Sequence, residues 1–262
     1  MDRNRSRGSA RWRCLAARIL DKVLDTVFPP CCIACENRLP AGPSRCLCES
    51  CDTRIESVRA PLCRLCGRPY RHEWQGDHLC GACLLQLPSF SVARSWACYP
   101  REPDPSHPLR QVIQRFKYGR QASLGQPLGR LTAQACRPWF RSSDLDLIIP
   151  VPLHSRRLRW RGFNQAVLLG REVGKAWGLP LDPFILTRKT ETAPQTGLSL
   201  KERRPNVRGA FAVAPRRNVE GMRLLLVDDI YTSGATANEC TRVLLRSGAR
   251  EVQVLTVGRT VS

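Results

Sequence analysis

The chain has 262 residues, 42% of them hydrophobic, which is enough to bury a full-sized core and excludes disorder for the bulk of it. Its formal charge of +20 and pI near 10.2 point to polyanionic partners: nucleotide phosphates, pyrophosphate or nucleic acid. The excess is nearly all arginine, since lysine stands only at positions 22, 117, 175, 189 and 201, so genome base composition accounts for it as readily as function does.

Residues 1–30 read as a basic leader and an amphipathic helix. Arg3, Arg5, Arg7, Arg11 and Arg13 precede a stripe of Leu15, Ile19, Val23 and Val27, which Pro29 and Pro30 end. Arg18, Asp21, Lys22 and Asp25 interrupt the apolar run, so no secretory signal is expected, and no stretch approaches the ~20 apolar residues that span a bilayer. A cytoplasmic location without a membrane span is the expectation.

Residues 31–88 carry most of the cysteines. Cys32 and Cys35 are followed by Cys48 and Cys51, and Cys63 and Cys66 by Cys80 and Cys83. Short C-x2-C turns bring paired thiolates onto one tetrahedral ion, so each set of four is expected to close a structural zinc site, two sites in all, as a double zinc ribbon. A disulfide framework competes, but nothing in the sequence signals export. Cys31 and Cys46 each neighbour a ligand and leave a shifted register open. Cys14, Cys98, Cys136 and Cys240 read as buried small apolar side chains, and His72 and His78 as solvated loop positions.

From residue 89 to 262 short apolar strands alternate with amphipathic helices, the pattern of an α/β domain. Strands are expected at Phe90 to Tyr99, Leu145 to Val151, Leu224 to Val227 and Val252 to Val257. Helices are expected at Leu109 to Tyr118, Leu128 to Trp139, Gln165 to Trp177 and from Ala235 up to Gly248. Ligands of open parallel sheets bind beyond the strand C-termini, where the loops converge.

Three segments there carry chemistry. In Leu224 to Thr236 an apolar strand runs into Asp228 and Asp229, and a Thr232-Ser233-Gly234 turn opens a helix at Ala235, with Thr236 in its first turn. Backbone N–H groups and hydroxyls at a helix N-terminus bind an anion. Paired carboxylates beside it would repel phosphate, and so suit sugar hydroxyls or a divalent cation; a ribose 5-phosphate meets both demands. An ordinary strand ending in an Asp-rich turn with a helix cap explains one hydroxyl and leaves the other groups unused. In the second segment, a loop expected after the Leu145 strand and running from Pro150 to Gln165, Arg156, Arg157, Arg159 and Arg161 follow Pro152, Leu153 and His154, a density suited to a multiply charged anion such as pyrophosphate. The third, Arg188 and Lys189 to Gln195 and on to Phe211, is long and polar and suits a lid.

The strand, acidic pair and Thr/Ser-Gly loop resemble the signature of the type I phosphoribosyltransferases. Joined to the cysteine knuckles, to PVPLHSRRLRWRGFNQA, RKTETAPQTGLSLKERRPNVRGAF and VDDIYTSGAT, and to FKYG at Phe116 to Gly119, they resemble the ComF (GntX or competence protein F) family from about Phe28 onward. That resemblance implies a small double zinc ribbon ahead of a phosphoribosyltransferase-like parallel sheet flanked by helices. It also implies binding of phosphoribosyl pyrophosphate with Mg2+, and a part in DNA uptake during natural transformation. By the same resemblance Asp228 and Asp229 hold the ribose hydroxyls, residues 230–236 including Ala235 wrap the 5-phosphate, and the arginine segment takes pyrophosphate. Lys117, Arg188 and Lys189 join the acidic pair as candidate catalytic residues. No segment for recognising a nucleophile is evident, so two readings stand: a glycosyltransferase with an unknown acceptor, or a module that senses phosphoribosyl pyrophosphate or contacts single-stranded DNA and competence proteins without turnover.

Overall fold

A computed structural model describes residues 29–40, 46–70, 78–102, 104–190 and 207–261, and the chain divides between Arg54 and Ile55 into two compact units. The expected leader helix, His72 and most of the expected lid, Gln195 included, lie outside the described residues.

In the first unit a tight turn follows Cys32. Glu36 takes the left-handed conformation there at φ 63°, and its N–H returns to the Cys32 carbonyl at 2.9 Å. Ile33 N–H donates to Cys46 O at 2.8 Å, and helix α1, Glu49–Thr53, starts directly after Cys48. Cys32, Cys35, Cys48 and Cys51 thereby come together, their sulfurs all within 4.8 Å of one another.

In the second unit the alternating apolar segments become a four-stranded parallel sheet ordered β1-β6-β5-β2: β1 is Val92–Tyr99, β2 Leu147–Pro150, β5 Arg223–Tyr231 and β6 Glu251–Thr260. A separate antiparallel pair joins β3, Leu186–Arg188, to β4, Phe211–Val213. Helix α2, Gly81–Leu85, closes the second cysteine group. Among the described residues, four longer helices accompany the sheet: α3, Pro108–Lys117; α4, Gly125–Cys136; α6, Gln165–Trp177; and α7, Ala235–Arg246. A short helix, α5, Ser155–Arg161, precedes α6.

Register fixes what each sheet face meets. Leu224, Leu226 and Ile149 share a core with Cys240 and Leu244 of α7. Ile148 pairs with Leu225, so these two occupy the opposite face. There α6 presses on Ile148 through Gly170 and Gly174, whose absent Cβ atoms would lie 3.3 and 3.5 Å from it. Gly125 and Gly129 likewise let α4 close on α6, because a Cβ at either would come within 2.7 Å of Leu168 or Glu172.

The outer edge of β1 is not bare. Val58 N–H donates to Trp96 O and Cys98 N–H to Glu56 O, at 2.9 and 2.8 Å, so the segment leading into the second knuckle pairs antiparallel with the sheet.

Three expectations differ in detail. The β5 strand continues through both aspartates to Tyr231, because β6 offers a ladder as far as Thr260 and that pairing outweighs the poor strand propensity of Asp. The arginine segment is helix rather than loop, ended by Gly162 in the left-handed region at φ 86°. His78 is half-buried and stacks on Tyr70 at 4.0 Å. Cys98, Cys136 and Cys240 are buried as expected.

Candidate functional site

Asp228 and Asp229 end the central part of β5, and as neighbours on a strand they project to opposite faces. Asp228 falls on the Leu224 and Leu226 side with α7, and Asp229 on the Leu225 side. Asp229 is 4% exposed; its Oδ1 takes an ion pair from Lys117 Nζ at 2.8 Å, and its Oδ2 is buried with no hydrogen-bond partner among the described residues. Asp228 Oδ1 accepts the Asp229 backbone N–H at 2.8 Å. Burial, then the neighbouring Asp229, push the Asp228 carboxyl up to about 7, against the pull of Lys117 and Arg188. Burial works against charge on Lys117, but Asp229 outweighs it and the ammonium is held above its usual range.

The lysine arrives from the end of α3, an amphipathic helix whose Leu109, Val112, Ile113 and Phe116 are buried. Pro108 at its first turn fits a position where no N–H is needed.

The arginine helix delivers its groups unevenly. Arg157 and Arg161, four apart, share a face. Arg161 is buried, donates to Gln165 Oε1 and lies 5.9 Å from the Tyr118 ring centre. Burial lowers its pKa, and Asp229 is the strongest charge acting the other way. Arg188, at the end of β3, stacks over Phe211 at 5.3 Å; burial and then Arg157 lower its pKa, while Asp228 supports its charge. Arg157 thus acts on both other guanidinium groups, and Lys117, Arg161 and Arg188 are the cations that act on the carboxylates. Arg156, Arg159 and Lys189 are exposed. Pro152 is buried, Leu153 and His154 are half-buried, and His154 Nδ1 is buried without a hydrogen-bond partner among the described residues. Asn164 joins this segment to α6, its Oδ1 capping Ala166 N–H at 2.9 Å and its Nδ2 donating to Val151 O at 3.0 Å.

After Tyr231 the chain turns through Thr232 and Ser233 to Gly234, which sits at φ 74° and begins α7. Ala235 N–H points to Ser233 Oγ at 3.4 Å, and the first-turn N–H groups lack intrahelical acceptors. A Cβ at Gly234 would come 2.2 Å from Tyr231 Oη, so the turn rests directly on that ring. Thr232, Ser233 and Thr236 are half-buried at the turn, with Gly234 and Ala235 buried beneath them.

Sequence reasoning missed Tyr118, Trp160 and Cys240. Tyr118 and Trp160 are exposed, 6.3 Å apart, and Arg120 lies over Trp160 at 5.0 Å; aromatic residues interleaved with arginines were the available signal. Cys240 lies under the site on α7; burial and then Asp228 raise its pKa well above the usual thiol range.

The sulfurs of Cys63, Cys66, Cys80 and Cys83 also lie within 4.8 Å of one another. Cys35 and Cys48 sulfurs are 3.6 Å apart, as are those of Cys66 and Cys80, close to the ~3.8 Å edge of a tetrahedron with Zn–S bonds of about 2.3 Å. The regular C-x2-C pairs form both groups, and neither Cys31 nor Cys46 enters them.

Over 232 residues, 87% of this chain and 96% of the relative, the sequence is 36% identical to "Competence protein F" of Haemophilus influenzae. The chain belongs to the ComF family. Another relative of this ComF-family chain is the "DNA utilization protein YhgH" of Salmonella typhimurium, 34% identical over 89% of this chain and 98% of that one. "Competence protein ComFC" of Bacillus subtilis is 25% identical over 79% and 80%. Residues 23–84 match the double zinc ribbon domain, which accords with the two four-cysteine groups and makes them its zinc sites. Among solved structures, the glutamine phosphoribosylpyrophosphate amidotransferase of B. subtilis is 24% identical over 52% of this chain and 26% of its own, with a TM-score of 0.34. A purine phosphoribosyltransferase of Pyrococcus horikoshii is 16% identical over 52% and 83%, with a TM-score of 0.32. Among the described residues no helix is long and apolar enough to cross a membrane.

Proposed function

We propose that this ComF-family chain binds phosphoribosyl pyrophosphate with Mg2+ and acts in DNA uptake, as a phosphoribosyltransferase-type domain carrying two structural zinc ions. The observation that carries the reading is the buried carboxylate pair at a strand end, clamped on one oxygen by Lys117 and open on Asp229 Oδ2, beside the Gly234 helix start. An acceptor oxygen without a donor fits a sugar hydroxyl. The carboxyl groups of Asp228 and Asp229 are the side chains that would hold a divalent cation. Mg2+ held there would supply positive charge to neutralise a departing pyrophosphate. The chain's own part is to hold the ribose hydroxyls at Asp228 and Asp229, the 5-phosphate at residues 232–236, and the pyrophosphate at Arg157 and Arg161. Lys117 fixes Asp229 in place, and Arg188 supplies positive charge from the opposite face.

Calorimetric titration with phosphoribosyl pyrophosphate and Mg2+, repeated for Asp228→Ala and Asp229→Ala, tests binding. Pyrophosphate release over a panel of bases, amines and single-stranded DNA tests turnover. No binding by the intact chain would end the proposal. Binding without release for any acceptor would favour a sensing module. The exposed Trp160, Arg156 and Arg159 favour single-stranded nucleic acid as a further partner, which predicts an affinity falling steeply with salt.

A further inference from the structure

The second cysteine group is gripped by the sheet. Three successive carbonyls of its first knuckle accept hydrogen bonds from β1 and β6: Arg64 O from Arg94 Nη1 at 3.1 Å, Leu65 O from Ala93 N–H at 2.7 Å, and Cys66 O from Arg259 Nη1. Gly67 follows at φ 69°, where a Cβ would lie 2.4 Å from Ala93 O. Arg259 also points Nη2 at Cys66 Sγ, 3.2 Å away.

The same guanidinium lies 4.5 Å from the centre of the Tyr231 ring, and Tyr231 is the wall against which Gly234 turns. Arg259 is 5% exposed and forms no ion pair with a carboxylate among the described residues. A buried guanidinium needs an anion, and the metal-bound thiolate cluster supplies one. Cys66, Arg259, Tyr231 and Gly234 are therefore one unbroken series of contacts from a zinc ligand to the helix start.

We propose that Arg259 is a positioning residue that couples metal occupancy of the second four-cysteine site to the shape of the 232–236 turn, acting through Tyr231. The functional weight of the coupling rests on the phosphate-binding reading of that turn; the coupling itself does not. With the metal in place the four sulfurs stay together, Arg259 stays over Tyr231, and the turn keeps its wall. Loss of the metal scatters the sulfurs and frees all three.

The test is amide hydrogen exchange across residues 231–236 in the full chain, with zinc content and circular dichroism recorded for each protein. Arg259→Met, which cannot bond sulfur or carbonyl, and Cys80→Ser, which opens the second site, are each expected to speed exchange at least tenfold. Cys48→Ser, in the first site, is expected to leave exchange there unchanged. Folded Arg259→Met and Cys80→Ser proteins with wild-type exchange would overturn the coupling, as would an equal effect from Cys48→Ser. Should Arg259→Met fail to fold, Arg259→Lys and Tyr231→Phe decide by the same readout: the first keeps the charge without the fork, the second removes the hydroxyl at Gly234. Titration with phosphoribosyl pyrophosphate separates the two ideas. A turn that responds to Arg259 in a chain that binds no phosphoribosyl pyrophosphate supports the coupling and sinks the functional reading. A chain that binds it with an unresponsive turn does the reverse.

Discussion

Replacing Gly234 by alanine adds one methyl group at the point where the proposed phosphate turn meets Tyr231. Two costs follow from the structure. The backbone stands at φ 74°, in the left-handed region, which costs an L-residue about 1–2 kcal/mol. The new Cβ would also stand 2.2 Å from Tyr231 Oη and 2.6 Å from Cζ, and the ring is hemmed in by Arg259 and by an edge contact with Phe90 at 6.2 Å. Overpacking of that kind costs roughly 1–3 kcal/mol, giving a total loss of about 2–5 kcal/mol. Gly221 is the internal control, since it has φ 69° and nothing within 4 Å of its Cβ position, so Gly221→Ala carries the conformational cost alone. Urea denaturation of the two variants, compared at equal m-values, should place Gly234→Ala below Gly221→Ala by about 1–3 kcal/mol. Calorimetry should show phosphoribosyl pyrophosphate binding weakened in the first and retained in the second. Equal stability losses with equal affinities would refute the claim that Tyr231 shapes the turn.

Lys117→Met leaves a buried carboxylate without its cation and should cost roughly 3–5 kcal/mol; Asp229→Asn in the same chain should recover part of it, and a denaturation loss below about 1 kcal/mol would contradict the ion pair's role. Because the Asp228 carboxyl is raised to about 7, its contribution to stability is present below the ordinary carboxylate range and lost as pH rises through about 7. Melting curves from pH 5 to 8 should therefore show a decline that Asp228→Asn flattens. Affinity for the Mg2+ complex of phosphoribosyl pyrophosphate should rise over the same interval, and a wild-type profile matching that of Asp228→Asn would exclude Asp228 as its source. Colorimetric metal release should return two zinc ions per chain, one from each four-cysteine group, with loss of ribbon structure on chelation; one ion or none would show that a group is not a site.

Much of the architecture was legible because it is local. The helix expected at Gln165 to Trp177 is found with those ends, since Asn164 caps its start and Gly178 ends it at φ 70°. The cysteine groups follow from spacing up to the register of Cys31 and Cys46, which only the structure decides. The acidic pair was visible as residues, but not its split across two sheet faces, which depends on β6 extending the ladder past Val227. Nor could spacing show which arginines turn inward: a helix at Ser155–Arg161 buries Arg161, half-buries Arg157 and leaves Arg156 and Arg159 exposed, and that helix is too short to announce itself by periodicity. The contact of Arg259 with Cys66 joins residues far apart in the chain, beyond the reach of any pattern.

The strand-like segment at residues 56–58 has a practical bearing on how the protein can be dissected. A recombinant fragment begun at Ser89, after the last cysteine knuckle, would strip β1 of the partner that holds Trp96 and Cys98 and expose an apolar row of unpaired amides. Such an edge invites pairing between molecules and precipitation. A fragment begun at or before Ile55 keeps that margin closed, together with the metal that anchors it.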